Sequence, residues 1–292
     1  MVVLDGGMSN ALEDRGHDLS GALWTARVLR DSPAEVAAVH RAYYQAGARV
    51  ATTASYQASI PGLVAAGLRT REAQALVRRS VTLARDVRDA LSADGTTRWV
   101  AASVGPYGAV LADGSEYRGR YGLTPAELRE FHLPRLELLA SADPDFMAVE
   151  TIPDIDEAEV LVDLLDELDL PAWFSFSAQG PHTAAGQPLA EAFSVAAAGS
   201  RVFAVGVNCC RPSDVLDAVI LAVRVTGLPV VAYPNSGEQW NSPARNWQGD
   251  DGYDPTLARG WVDAGATYVG GCCRVGPRSI AALTDTINGA GG

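Results

Sequence analysis

The sequence contains no lysine: all 23 basic residues are arginine, and 35 acidic residues bring the formal charge of the 292-residue chain to −12. Without lysine there is neither a Schiff-base amine nor a P-loop cation. So acidic a chain, lacking any basic stripe, makes nucleic acid an unexpected partner. Long apolar runs are also missing. The most apolar helical segment, Val215–Val225, is broken by Asp217 and Arg224, short of the roughly 18 uninterrupted apolar residues of a membrane span. Met1-Val-Val-Leu-Asp-Gly-Gly has no basic region and no cleavage site, so no signal peptide is expected. No Gly/Ser-rich, Pro-rich or charge-blocked tether interrupts the chain, which predicts one domain over residues 1–292. These absences predict a cytoplasmic protein without membrane contact. Its four cysteines would then stay reduced and need a role other than disulfide pairing.

What is present is alternation. Eight short apolar or β-branched runs read as strands: Val2–Leu4, Arg49–Thr53, Trp99–Val104, Phe146–Val149, Ala172–Phe176, Val202–Val207, Pro229–Tyr233 and Thr267–Val269. Segments of helical period separate them, at Arg71–Leu91, Ile155–Leu168, Leu189–Ala198, Ser213–Val225, Pro255–Ala264 and Pro277–Thr286. Ser32-Pro-Ala-Glu35 and Thr124-Pro-Ala-Glu127 each read as a capping box with proline at the first helical position. Gln45-Ala-Gly-Ala and Asp263-Ala-Gly-Ala each lead from a helix end into a strand, with Gly47 and Gly265 as helix stops.

Eight strand–helix repeats with near-continuous apolar strands predict an α/β fold, a (β/α)8 TIM barrel. An open doubly wound sheet is the competitor, but Asp5-Gly-Gly-Met-Ser-Asn10 after the first strand does not fit its G-x-G-x-x-G fingerprint. Long polar connections follow strands one, three and seven. All three fall at the C-terminal end of the barrel, where such folds place their chemistry.

The cysteines occur as two adjacent pairs at such strand ends, Cys209-Cys210 and Cys272-Cys273. One buried cysteine is ordinary core; two pairs in equivalent places suggest a thiolate cluster. Neighbouring residues of a regular strand face opposite ways, so Cys272 and Cys273 can share an ion only where the strand has ended, and Gly270 and Gly271 would supply the turn. Thiolates suit zinc, and three protein ligands would leave a fourth position open for substrate, with one cysteine spare.

Asp5-Gly-Gly-Met, Thr53-Ala-Ser-Tyr-Gln-Ala58, Ser103-Val-Gly-Pro-Tyr107, Asp113-Gly-Ser-Glu-Tyr-Arg-Gly119, Glu150-Thr-Ile-Pro, Gly206-Val-Asn-Cys209, Tyr233-Pro-Asn-Ser-Gly-Glu238 and Gly270-Gly-Cys-Cys-Arg274 together resemble the homocysteine S-methyltransferase family, essentially end to end. The resemblance implies that Cys209, Cys272 and Cys273 hold zinc (Zn2+) and carry the chemistry, with Cys210 a bystander. It places Asp5, Gly6 and Glu150 near bound homocysteine, and Tyr56, Gln57 and Asn235 in the pocket. It implies a sulfonium donor, S-methylmethionine or S-adenosylmethionine, from which the methyl group passes to the homocysteine thiolate to give methionine. The chain stops soon after the Cys-Cys motif, so neither the extension of betaine-dependent relatives nor corrinoid and folate modules are expected.

Asp5 and Glu150 each follow a predicted strand directly and should face the barrel mouth, where either could hold an ammonium; the plainer alternatives are a loop-amide contact for Asp5 and a buried ion pair for Glu150. Aromatic faces stabilise a sulfonium without offering a nucleophile, and Trp24, Tyr107, Trp240 and Trp247 lie in the long loops as candidates, or as ordinary cover for the mouth. None of the four histidines is given a role; His40 and His132 sit in predicted helices. Competing functions are methyl transfer to selenohomocysteine, selenocysteine or another small thiol, and a non-catalytic barrel whose zinc is closed by all four cysteines. A monomer is expected, with small-molecule substrates.

Overall fold

The computed structural model describes residues 1–19, 24–111, 113–241, 246–249 and 253–289. Eight parallel strands form the frame: β1 (Val2–Val3), β2 (Val50–Thr52), β3 (Trp99–Val104), β4 (Phe146–Ile152), β5 (Ala172–Gln179), β6 (Val202–Asn208), β7 (Val230–Tyr233) and β8 (Ala266–Val269). They pair in the order β1-β8-β7-β6-β5-β4-β3-β2, and a parallel bridge between Leu4 and Val50 joins β2 back to β1. The sheet therefore closes into the expected α/β barrel. Each predicted strand is present, shifted at its ends by a few residues.

The outer helices are α3 (Pro33–Gln45), α5 (Thr70–Ala90), α7 (Pro125–Ala140), α8 (Ile155–Glu167), α9 (Leu189–Ala198), α10 (Pro212–Thr226), α11 (Leu257–Asp263) and α12 (Pro277–Asn288). Each packs on the next, and α12 packs on α3, so the helices form a second closed ring. Short helices α1 (Met8–Glu13), α2 (Trp24–Asp31), α4 (Ile60–Ala65) and α6 (Tyr107–Leu111) lie within the connections after β1, β2 and β3. Their runs of six, eight, six and five residues are too brief for a periodic signal to stand out. Among the described residues no helix is long and apolar enough to cross a membrane.

Local signals held where tertiary contacts left them free. Thr124 accepts from the Glu127 N–H and Glu127 from the Thr124 N–H, completing one capping box. The expected box at Ser32 does not form: the Ser32 side chain makes no cap bond, and Glu35 instead accepts from Arg15 Nε at 2.7 Å. Gly47 and Gly265 do follow helix ends, with φ of 102° and 116°.

The barrel interior is filled unevenly. Trp173 occupies its centre, facing Ala101, Ala148 and Ala204 on neighbouring strands, an exchange of one large side chain for three small ones that keeps the layer dense. Phe146, Phe203 and Tyr268 stack around it. Two residues further along five of the strands, the alternation brings polar side chains inward: Thr52 after Val50, Ser103 after Ala101, Glu150 after Ala148, Ser175 after Trp173 and Tyr233 after Val231. The polar layer forms the floor of the barrel mouth.

Candidate active site

Three sulfurs converge above that floor. The Sγ atoms of Cys209, Cys272 and Cys273 all lie within 4.8 Å of one another; Cys209 is 3.2 Å from Cys272 and 3.5 Å from Cys273. Tetrahedral zinc at about 2.3 Å from each thiolate would hold sulfurs about 3.8 Å apart, so these spacings fit a metal ion with modest adjustment. Hydrogen bonds from its two neighbours hold the Cys209 thiol well below its ordinary pKa, while sharing protons and burial raise those of Cys272 and Cys273. One negative charge forms there readily and further ones only with a cation present. The cluster could thus hold a metal. Cys210, which a closed four-cysteine site would require, is absent from it: its side chain packs in the apolar core, and burial pushes its thiol up. That alternative is corrected by the geometry.

The backbone explains how adjacent cysteines separate or converge. Cys209 has φ +50° immediately after β6 ends, which turns it inward and leaves Cys210 facing the core. Cys272 and Cys273 lie beyond β8, on a turn fastened by three loops. Cys272 N–H donates to Pro234 O at 2.7 Å, Gly271 N–H to Asp5 O at 3.1 Å and Gly7 N–H to Val275 O at 3.0 Å. Asn235 Oδ1 accepts from Cys273 N–H at 3.2 Å. Gly270 and Gly271 matter here for close approach, since neither has positive φ: a Cβ on Gly271 would lie 2.1 Å from Val275 Cγ1. Gly6 is pinned in the same way, its Cβ position 2.1 Å from Val275 O.

Glu150 lies beneath the sulfurs. Ser103 Oγ donates to its Oε1 and Tyr233 Oη to its Oε2 at 3.1 Å; Tyr233 Oη also accepts from Trp173 Nε1 at 3.1 Å. Burial raises the Glu150 carboxyl to about 7 against these bonds. Among the described residues Glu150 makes no ion pair; its partners are the two hydroxyls, which is not the buried ion pair considered for it. Behind it β4 bulges, its register shifting between Val149 and Ile152, and Thr151 takes φ +62°. Asn208 supports that strained residue, accepting from Thr151 N–H and donating to Thr151 Oγ1, both at 2.7 Å. Asp5 accepts from the backbone N–H and the hydroxyl of Thr52, the last residue of β2, at 2.7 and 2.9 Å, a strand contact and not the loop-amide contact considered for it. Burial nonetheless raises it to about 8.

A cavity of about 720 Å3 joins these groups, lined by Asp5, Gly6, Glu150, Tyr56, Gln57 and the three clustered cysteines among others. Asn235 lines a neighbouring cavity of about 480 Å3, which shares Tyr117, Cys209 and Glu238 with the first. Tyr107 is a correction: its ring packs on Tyr121 and Phe131, 5.4 and 5.0 Å between centroids, away from the cavity. The hairpin of Gln239–Asn241 and Asn246–Gln248 sets Trp240 opposite Trp247, and Trp24 opens α2; their side chains lie outside the described residues. His40 and His132 are both fully buried. Residues not singled out from sequence include Thr52, Ser103, Glu116, Tyr117, Asn208 and Tyr233. Five of them stand inside the quoted motifs, so proximity in sequence was the available signal; Thr52 directly precedes one.

The family model described as homocysteine S-methyltransferase matches residues 2–287. The chain is 42% identical to homocysteine S-methyltransferase 4 of Zea mays over 99% of its own length and 90% of that protein. It is also 42% identical to homocysteine S-methyltransferase of Escherichia coli, strain K12, over 97% and 94%. The crystal structure of the homocysteine methyltransferase MmuM from Escherichia coli in its metallated form superposes with a TM-score of 0.89 at 41% identity, covering 97% of this chain and 95% of that one.

Proposed function

The chain belongs to the homocysteine S-methyltransferase family, and from that premise we propose that it is a zinc enzyme moving a methyl group from S-methylmethionine or S-adenosylmethionine to homocysteine. The observation that carries this reading is the three-sulfur cluster without Cys210, which leaves one tetrahedral position for a substrate sulfur. Cys209, Cys272 and Cys273 are the residues that would hold zinc. Zinc, when bound, lowers the pKa of a substrate thiol from about 8.5 so that thiolate predominates at neutral pH.

The chain's own groups do the rest. Glu150 and Asp5 would hold the homocysteine ammonium, and Gly6 offers backbone that no side chain obstructs. The floor of Ser103, Tyr233 and Trp173 fixes the Glu150 carboxylate, so the amino acid is oriented before transfer. The thiol proton is lost to water. The homocysteine sulfur then forms a bond to the donor methyl as the methyl–sulfonium bond breaks, the electron pair remaining on the departing sulfur, which becomes neutral. Tyr56, Gln57 and Asn235 would shape the pocket, and Trp24, Trp240 and Trp247 would supply aromatic faces for the sulfonium. The protein would act as one cytoplasmic domain over residues 1–292, as a monomer, on small molecules alone.

The test is methionine formation by zinc-loaded protein from homocysteine with S-methylmethionine, S-adenosylmethionine and betaine in parallel, with Cys272→Ala alongside. Activity with a sulfonium donor, lost in the variant, is expected. Full zinc occupancy without activity on any donor would redirect the search to another thiol or selenol acceptor.

A further inference from the structure

Among the described residues six carboxylates line the main cavity, Asp5, Glu13, Asp18, Glu116, Glu150 and Glu238, against one guanidinium, Arg274. That guanidinium is committed to Glu238, with Nε 2.8 Å from Oε2. Such a lining, with three thiols added, repels anions and favours a positively charged ligand. Asp5, Glu13 and Glu150 each accept from a neighbouring side chain. Glu116 differs: it is 6% exposed, and its Oε2 has no hydrogen-bond partner among the described residues. An unpaired buried carboxylate oxygen is destabilising, and its raised affinity for a proton, to about 7, follows from burial and from the charge of Cys209 nearby.

The chain holds Glu116 in place deliberately. It sits on the one-turn helix Ser115–Tyr117, entered through Gly114 at φ +81°, with Asp113 Oδ1 accepting from Ser115 N–H at 2.9 Å. A Cβ on Gly108 would lie 2.6 Å from Glu116 N, so only glycine lets the two segments touch. The next residue, Tyr117, places its Oη 3.5 Å from Cys209 Sγ. Glu116 thus lines the same cavity as the three sulfurs, where the reacting centre of a methyl donor must arrive; the donor's own ammonium and carboxylate lie several bonds further off.

We propose that Glu116 binds the sulfonium centre of the methyl donor and sets the preference for a cationic over an uncharged donor head. This rests on the reading of the cluster as a sulfonium-dependent methyl-transfer site. A sulfonium has no N–H or O–H to donate, so the attraction is coulombic and should vanish when the charge of either partner is removed.

The test compares S-methylmethionine with 2-amino-5-methylhexanoate, in which a CH group replaces the sulfonium sulfur, by calorimetry on zinc-loaded wild type and Glu116→Gln. Wild type is expected to bind the cation at least about tenfold more tightly than the isostere, and Glu116→Gln to shrink that ratio to about threefold or less. The isostere affinity and the homocysteine KM should stay unchanged. Glu116→Asp, expected to be intermediate, serves should the amide variant fail to fold. Where only S-adenosylmethionine is a donor, S-adenosylhomocysteine is the uncharged comparator. A ratio unchanged by either substitution, in an enzyme that does use a sulfonium donor, overturns the proposal and leaves the activity standing. A wild type that transfers no methyl group from any sulfonium overturns both.

Discussion

Replacing Glu150 by glutamine removes one charge from the site while keeping nearly all of its shape. Each carboxylate oxygen accepts one hydroxyl, from Ser103 and from Tyr233; the amide keeps one acceptor, and Tyr233 can turn its proton to Ser175 Oγ, 2.7 Å away. The fold should lose only about 1 kcal/mol. A charge-assisted bond to the homocysteine ammonium contributes about 1.5–3 kcal/mol, so the homocysteine KM should rise about 10- to 150-fold with little change in kcat. The pH dependence follows from the same group. Burial raises Glu150 to about 7, so the charged form that binds ammonium accumulates as pH rises through that value, and the wild-type KM should fall about tenfold from pH 6 to 8 relative to the variant. Stability has the opposite sign. The folded state keeps this proton longer than the unfolded chain, whose ordinary value is 4.5, so the stabilisation present below that value is lost as pH rises towards about 7. Steady-state kinetics and thermal unfolding across this range supply the check. An unchanged KM, or a pH slope that survives the substitution, would refute the assignment of Glu150 to the ammonium.

Other expectations follow from neighbouring residues. Cys210→Ala should keep its full equivalent of metal and its activity, whereas Cys273→Ala should lose metal affinity by at least about tenfold; metal analysis after desalting decides, and equal losses would return Cys210 to the site. Asn208→Ala removes the support of Thr151 and the acceptor of Ser175, and should cost about 3 kcal/mol in urea unfolding; a change under about 0.5 kcal/mol would show that Thr151 is not strained in solution. His40 is fully buried with neither ring nitrogen paired among the described residues, and burial lowers it from 6.5 to about 4. Because the folded state resists protonation, its contribution is lost as pH falls from about 6.5 towards 4. His40→Leu should therefore unfold at higher temperature, with a gain that grows as pH falls from about 6.5 towards 4; a gain independent of pH would mean that His40 is not the titrating group.

The strands were legible because a buried parallel strand needs apolar residues on both faces, and eight such runs stand out between polar segments. The cysteine pairs were legible because each sits directly after such a run. Other parts were hidden for identifiable reasons. Glu35 forms half of a well-spelled capping box, yet Arg15, twenty residues earlier, draws it away. Tyr107 opens the short helix α6 in the connection that leads to the mouth, yet its ring finds Phe131 on α7 instead. Serine, threonine and asparagine are common in loops for many reasons, so Ser103, Thr52 and Asn208 carried no signal of their own.

By itself the sequence determined the number and order of strands, the end of the barrel that carries the chemistry and the residue types available there, because these follow from periodicity and from position relative to strand ends. Spacing alone left one cysteine spare without saying which; the family resemblance implied Cys210, and the tertiary structure supplies the physical reason. That choice turns on a left-handed residue at Cys209 and on a turn at Cys272-Cys273 clasped by loops far apart in sequence. Only the tertiary structure decided that Glu116 is a buried acid with an oxygen unpaired among the described residues while Tyr107 is packing. Pairing and burial are set by what the rest of the chain brings alongside, which no local pattern of residues records.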